Sequence, residues 1–212
     1  MNTTPVKAIL PCLGILFLIW GCSVTKPNAK WAQETAPENF LVRFETSKGI
    51  FEVKVERALS PKAVDRFYQL VTRQYFENAF FYRTVPNFVT QFGSADRSSR
   101  KFWDSIKVPD EAVTLGNEKG TISFAREGKE TRTTDLYINL VDNNRLDTIN
   151  YNEVIGFPAF GRVSKGMDVV ESLFSGYGET AGADFEMMLS NLDRYLKKYP
   201  EMDRIKKAYL VK

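Results

Sequence analysis

The chain has 212 residues, 43% hydrophobic and 26% charged, which is material for one ordinary globular domain with short extensions and not for a second full domain. Its formal charge of +3 comes from interleaved bases and acids, so no arm or stripe offers the extended positive surface that phosphates require, and no nucleic-acid partner is expected. The absence of histidine excludes Ser-His-Asp and Cys-His nucleophile systems and every His-ligated metal, and the only cysteines, Cys12 and Cys22, leave the folded part without a disulfide or thiolate cluster.

In chain order, Lys7 precedes the apolar run Ala8 to Trp20, too short to span a bilayer comfortably and the right size for a signal-peptide core. Residues 1–21 are read as a signal peptide. The run ends in Leu18-Ile19-Trp20-Gly21-Cys22, which resembles a bacterial lipobox. That resemblance implies acylation of Cys22 and a membrane partner reached through the lipid. Trp20 stands where a small residue is usual, which leaves ordinary signal cleavage or an uncleaved anchor as alternatives. Ser23 after the cysteine resembles the pattern that sorts such chains to the outer membrane, facing the periplasm. Residues 22–39, mostly polar and containing Pro27 and Pro37, read as a flexible tether. The folded domain is placed at 40–212.

Phe40, Val42 and Phe44 alternate with polar neighbours, Ser47-Lys48-Gly49 makes a turn, and Phe51, Val53 and Val55 alternate again, which predicts a β-hairpin. Ser60 and Pro61 start a helix whose apolar face carries Ala63, Val64, Phe67, Leu70 and Val71. Strand-like stretches follow at 80–84, 88–92, 120–125 and 136–141, and a second helix is expected over 167–174 after Gly166. Ser98 to Lys101 reads as a solvated loop. A further helix at about 184–199 has Asp184 as its cap, an apolar stripe of Phe185, Met188, Leu189, Leu192, Leu196 and Tyr199, and Pro200 as its stop. Ile205 to Val211 returns as a last strand. Several short strands with few helices imply a mainly β protein built on a closed antiparallel barrel.

The segment Phe81-Tyr82-Arg83-Thr84-Val85-Pro86-Asn87-Phe88-Val89-Thr90-Gln91-Phe92-Gly93 resembles, without a gap, the cyclophilin signature Phe-His-Arg-x-(Ile/Val)-Pro-x-Phe-x-x-Gln-Gly-Gly. Five further segments agree in the right order: ETSKG at 45–49, SPKAVDRF at 60–67, GTISFAR at 120–126, DLYINLVDNNRLD at 135–147 and FGRVSKGMDVVESL at 160–173. The chain is similar over about residues 40–175 to the cyclophilin-type peptidyl-prolyl cis/trans isomerases. That resemblance implies an eight-stranded closed antiparallel barrel with two flanking helices, here with the additional C-terminal helix. It implies an isomerase that acts on proline-containing polypeptides as a monomer, needs no cofactor or metal, and in this setting assists exported proteins. The alternative is a proline-peptide binding module or chaperone with little turnover.

The chemistry suits a chain without histidine. X–Pro isomerisation breaks no covalent bond; its barrier is amide resonance, about 18–20 kcal/mol, and the catalyst must favour the twisted amide. In that state the prolyl nitrogen regains a lone pair, to which a guanidinium can donate. By the resemblance, Arg83 is the catalytic arginine and Gln91 the amide that orients it and binds substrate backbone. Phe88, Val89, Tyr137, Leu146 and Phe157 form the proline pocket, and Ala125 and Asp135 lie along the substrate. The chain departs from the family at Tyr82 for histidine, Phe92 for glycine, Arg126 for asparagine, Asp135 for a second glutamine, Tyr137 for phenylalanine and Arg145 for a tryptophan. The loop 127–134 is unusually charged, and 148–156 reads as an insertion. Asp135, if it faces Arg83, either sequesters the guanidinium or positions it.

Overall fold

The structure is a computed structural model, and it describes residues 28–211. The signal segment and Cys22 lie outside the described residues. Within residues 28–39, which belong to the expected tether, a 3-10 turn at Ala29–Gln33 sets Trp31 edge-on to Phe102, 6.1 Å between centroids. Buried Ala36 donates its N–H to Asp65 at 2.9 Å. The contacts come from Trp31, Ala32 and Ala36, with the Glu34 carbonyl accepting from Gln69 at 2.7 Å.

The predicted hairpin forms as β1 (Asn39–Thr46) and β2 (Ile50–Glu56), in register with Val42 opposite Val53. Helix α1 (Pro61–Thr72) starts at its proline, whose missing N–H costs nothing in a first turn. Its next two free amides, of Lys62 and Ala63, donate to the Glu111 carboxylate at 2.8 and 3.1 Å, and Ser60 Oγ donates to the same group. An acid from a distant loop thus takes the place of the expected cap, favoured by the helix dipole. Strands β3 (Phe80–Thr84) and β4 (Val89–Gly93), helix α2 (Arg97–Asp104), β5 (Thr121–Phe124), β6 (Leu136–Asn139) and the single turn α3 (Arg145–Thr148) follow. Next come β7 (Asn150–Tyr151), β8 (Val154–Ile155), β9 (Ala159–Lys165) and α4 (Met167–Glu171). The chain ends with α5 (Thr180–Ala183), α6 (Phe185–Ser190), α7 (Leu192–Lys198) and β10 (Ile205–Leu210).

Eight strands form one antiparallel sheet in the order β10-β1-β2-β9-β5-β6-β4-β3. Its ends meet where Phe80 bridges Arg204, with Phe81 N–H donating to Asp203 O at 3.0 Å and Ile205 N–H to Ala79 O at 2.8 Å. The antiparallel barrel is thereby nearly closed. Its interior is aromatic: Phe44 stacks on Phe51 at 4.7 Å, and Phe67 of α1 lies 5.1 Å from Phe160. Each such ring contributes about 1.5–3 kcal/mol by leaving water.

Three expectations are corrected. Ser98 to Lys101 lies in helix α2, where Asp96 accepts the Ser98 N–H at 2.9 Å and Arg100 and Trp103 are buried. The helix after Gly166 stops at Glu171 rather than reaching residue 174. The single helix at 184–199 is two: Asn191 (φ −151°, ψ 78°) breaks it and caps α7 by accepting the Arg194 N–H at 3.0 Å. Asp184 stands at the N-cap of α6, as expected, but its side chain makes no capping bond; the carboxylate accepts from the Tyr199 hydroxyl at 2.7 Å and pairs with Lys198. The bend lets Met188, Tyr195 and Tyr199 make a second small core against Phe80 and Tyr82, on the outer side of β3. The stretch 148–156, read as an insertion, contains the β7–β8 hairpin, turned by Asn152 and Glu153, both at positive φ (48° and 68°) as a two-residue turn demands.

Candidate active site

Arg83 and Gln91 are directly paired across β3 and β4, and Gln91 pairs on its other side with Tyr137 of β6. Their side chains meet over the sheet: Arg83 Nη1 donates to Gln91 Oε1 at 3.3 Å. Gln91 Nε2 donates in turn to the Tyr82 hydroxyl at 2.6 Å, so the tyrosine in the family's histidine position holds the amide from behind. Burial pushes the Tyr82 phenol well above its ordinary pKa, which keeps it a neutral acceptor.

Beside this pair, buried Val89, Tyr137 and Leu146 form an apolar cluster with partly buried Phe88, Ala125, Ile149 and Phe157. Arg83, Gln91, Phe88, Val89, Ala125, Asp135, Tyr137, Leu146 and Phe157 all line one groove of about 700 Å³. Tyr137, at the pocket floor, spends its hydroxyl on Asn117 Oδ1 at 2.8 Å and presents only its ring. Phe157 stands 6.2 Å from that ring, edge-on. Phe92 lies wholly inside the barrel, 5.3 Å from Phe81, because side chains alternate across a strand and Gln91 faces out. Its departure from the family pattern leaves the groove untouched.

The charged neighbours are arranged differently from either alternative for Asp135. That carboxylate lines the groove but is held by Arg100 through two bonds, at 3.0 and 2.6 Å, with Arg100 Nε 3.5 Å from Asp104. Burial alone would weaken the Arg100 charge, and the bonds and field of Asp135 more than offset it. The carboxylate on Arg83 comes instead from Glu179, which accepts from Nε at 2.6 Å and Nη2 at 2.8 Å. Asp135 therefore neither sequesters Arg83 nor positions it.

Arg126 lies with its guanidinium 4.4 Å from the centre of Phe157 and donates to Asp110 at 3.3 Å and to the Val154 and Gly156 carbonyls. It thus ties the β7–β8 hairpin and the Phe157 wall to the barrel. Arg145 is exposed, 4.8 Å from the Phe88 ring, where its cation meets the ring's negative face. The sequence reading missed Arg100, Ile149, Tyr151 and Phe185 as groove residues, and Glu179 as the carboxylate on Arg83. The Ser98-Ser99-Arg100-Lys101 run held a signal for Arg100 only as the buried position of an amphipathic turn, and nothing local marks Glu179.

The cyclophilin type peptidyl-prolyl cis-trans isomerase/CLD family model matches residues 41–189. A peptidyl-prolyl cis-trans isomerase of Acinetobacter baylyi is 29% identical over 137 residues, covering 64% of this chain and 72% of that protein. Peptidyl-prolyl cis-trans isomerase A of Dickeya dadantii is 31% identical over 139 residues, covering 65% and 72% respectively. In structure, a Cryptosporidium parvum cyclophilin type peptidyl-prolyl cis-trans isomerase superposes with a TM-score of 0.60 at 20% identity, over 82% of this chain and 98% of that one. The barrel, the gap-free signature and the family match agree, and the chain belongs to the cyclophilin-type peptidyl-prolyl cis-trans isomerases.

Proposed function

We propose that this isomerase turns X–Pro bonds in its groove with Arg83 as the catalytic residue, Gln91 as its partner, and Phe88, Val89, Tyr137, Leu146 and Phe157 as the seat of the proline ring. The observation that carries the reading is the Arg83–Gln91 pair set across adjacent strands beside an apolar cluster. An apolar seat strips water from the prolyl amide, and a donor held at its edge gains strength in that drier setting. Ala125 lies along the same groove, and Asp135, bound to Arg100, forms its polar wall. Exchange NMR on an X–Pro peptide with the purified protein tests it. Arg83→Ala is expected to lower kcat/KM ten- to a thousandfold, a loss of about 1.4–4 kcal/mol of transition-state stabilisation, with the fold intact; undiminished exchange would show the site to be elsewhere.

The natural substrates, in this reading, are exported proteins, and the enzyme works as a monomer from a membrane to which Cys22 tethers it on the periplasmic side. Lys7, the apolar run to Trp20 and Cys22 support it. Mass spectrometry of the mature N-terminus should find a diacylglyceryl cysteine, and Cys22→Ser should release the protein from membranes. An unmodified Cys22 would refute the anchor.

A further inference from the structure

Building on the reading of Arg83 as the catalytic residue, we propose that Glu179 is a positioning residue for isomerisation, one that grips the guanidinium by one edge and leaves its tip free for the prolyl amide. Arg83 has five N–H donors. Glu179 takes the Nε hydrogen and one on Nη2, at 2.6 and 2.8 Å, and Gln91 takes one on Nη1 at 3.3 Å. One hydrogen on each terminal nitrogen remains, and these are the ones a substrate can receive. A bidentate carboxylate also fixes the plane of the fork, which a single amide at the other edge does not.

Glu179 itself is 64% exposed, and an exposed ion pair ordinarily does little. Here, however, the backbone that carries it is pinned from three directions. Gly178 bridges Thr84 of β3, the residue after Arg83. The Thr180 and Ala181 carbonyls accept from the Tyr199 and Tyr195 hydroxyls at 3.1 and 3.0 Å. Gly182 lies against the aliphatic stem of Arg83 so closely that a Cβ there would sit 3.2 Å from Arg83 Cβ and 3.3 Å from Cδ. The carboxylate is therefore placed before substrate arrives, and the arginine loses less freedom on reaching the twisted amide. The second small core around Tyr195 and Tyr199, which also carries Tyr82 behind Gln91, acquires a further function as the mount for this acid.

The test is exchange NMR on an X–Pro peptide with purified wild type, Glu179→Ala, Glu179→Gln, Arg83→Ala and the Glu179→Ala/Arg83→Ala double variant, each checked for folding by circular dichroism. Glu179→Ala is expected to lower kcat/KM by roughly three- to tenfold, mainly in kcat with KM nearly unchanged. Glu179→Gln, which keeps one acceptor oxygen, should fall between the two. In the Arg83→Ala background, Glu179→Ala should have no further effect. A Glu179→Ala enzyme as fast as or faster than wild type overturns the proposal, since the acid would then be idle or a competitor of the substrate. An equal loss in both backgrounds overturns it too, as a purely structural effect. Arg83→Ala without loss would instead bring down the site assignment on which this inference stands.

Discussion

Replacing Asp135 by alanine tests the reassignment of that residue from Arg83 to Arg100. The Arg100 side chain is 8% exposed, and Asp135 supplies its two shortest bonds, at 3.0 and 2.6 Å. In Asp135→Ala the guanidinium keeps only the Ser94 carbonyl at 3.3 Å, the Asp104 carboxylate at 3.5 Å and the face of Phe185 at 4.8 Å. Breaking a buried pair on one side costs about 3–5 kcal/mol. Because Asp104 remains, the lower end applies, and for a domain of this size about 3 kcal/mol lowers the thermal midpoint by roughly 6–12 °C. Replacing both partners, as Arg100→Met with Asp135→Leu, leaves no orphaned charge and should return to within about 1 kcal/mol of wild type. Urea unfolding of wild type, Asp135→Ala, Arg100→Met, Asp135→Leu and the double variant measures all of this. An Asp135→Ala loss under about 1 kcal/mol, or a double variant as unstable as the sum of the singles, would show that the pair is not the strut described. The same geometry predicts that restoring the family's amide by Asp135→Gln does not raise kcat/KM, since the substitution frees Arg100 and not Arg83.

Two further outcomes are expected. The hydrogen bonds from Arg83 hold the Glu179 carboxyl below its ordinary pKa, so the grip on the guanidinium persists as pH falls through the usual carboxylate range near 4.3 and is lost only below it. The kcat/KM of the wild type should then stay level down to about pH 4.3 and decline beneath it, in a step absent from Glu179→Gln; the same step in both proteins would place the titration elsewhere. Gly93→Ala should destabilise the domain by about 1–3 kcal/mol, because its Cβ would land 1.9 Å from Asp135 Oδ1 and 3.2 Å from Arg100 Nη1; a wild-type urea midpoint would contradict that crowding.

The elements legible in the sequence are those whose pattern is local. Alternation around Ser47-Lys48-Gly49 announced the β1–β2 hairpin, and the spacing of Ala63, Val64, Phe67, Leu70 and Val71 announced the buried face of α1. The signature from Phe81 to Gly93 put Arg83 and Gln91 eight residues apart, which a tight β3–β4 turn converts into direct opposition. What escaped is long-range pairing of charge. Asp135 and Arg100 are 35 residues apart, Arg83 and Glu179 96, and no periodicity encodes which arginine an acid will meet. Helix α2 was hidden because its buried face is made of an arginine and a tryptophan rather than aliphatics. The break at Asn191 was hidden because the apolar stripe of α6 and α7 runs on across it as if one helix continued.

The closure of the barrel bears on when this enzyme becomes one. The first strand, Asn39–Thr46, needs the last, Ile205–Leu210, as its partner, with Val42 opposite Leu210. The seam between the sheet's two ends is sewn by residues 203–205. Pairings of such long sequence separation form late and slowly. A chain synthesised from its N-terminus onwards can assemble the β1–β2 hairpin and α1 early, but the sheet that carries its groove is not sealed until residues 203–210 emerge. Folding of the barrel is thus coupled to the emergence of its last strand: until Ile205–Leu210 is in place, Arg83 stands on an unsealed sheet.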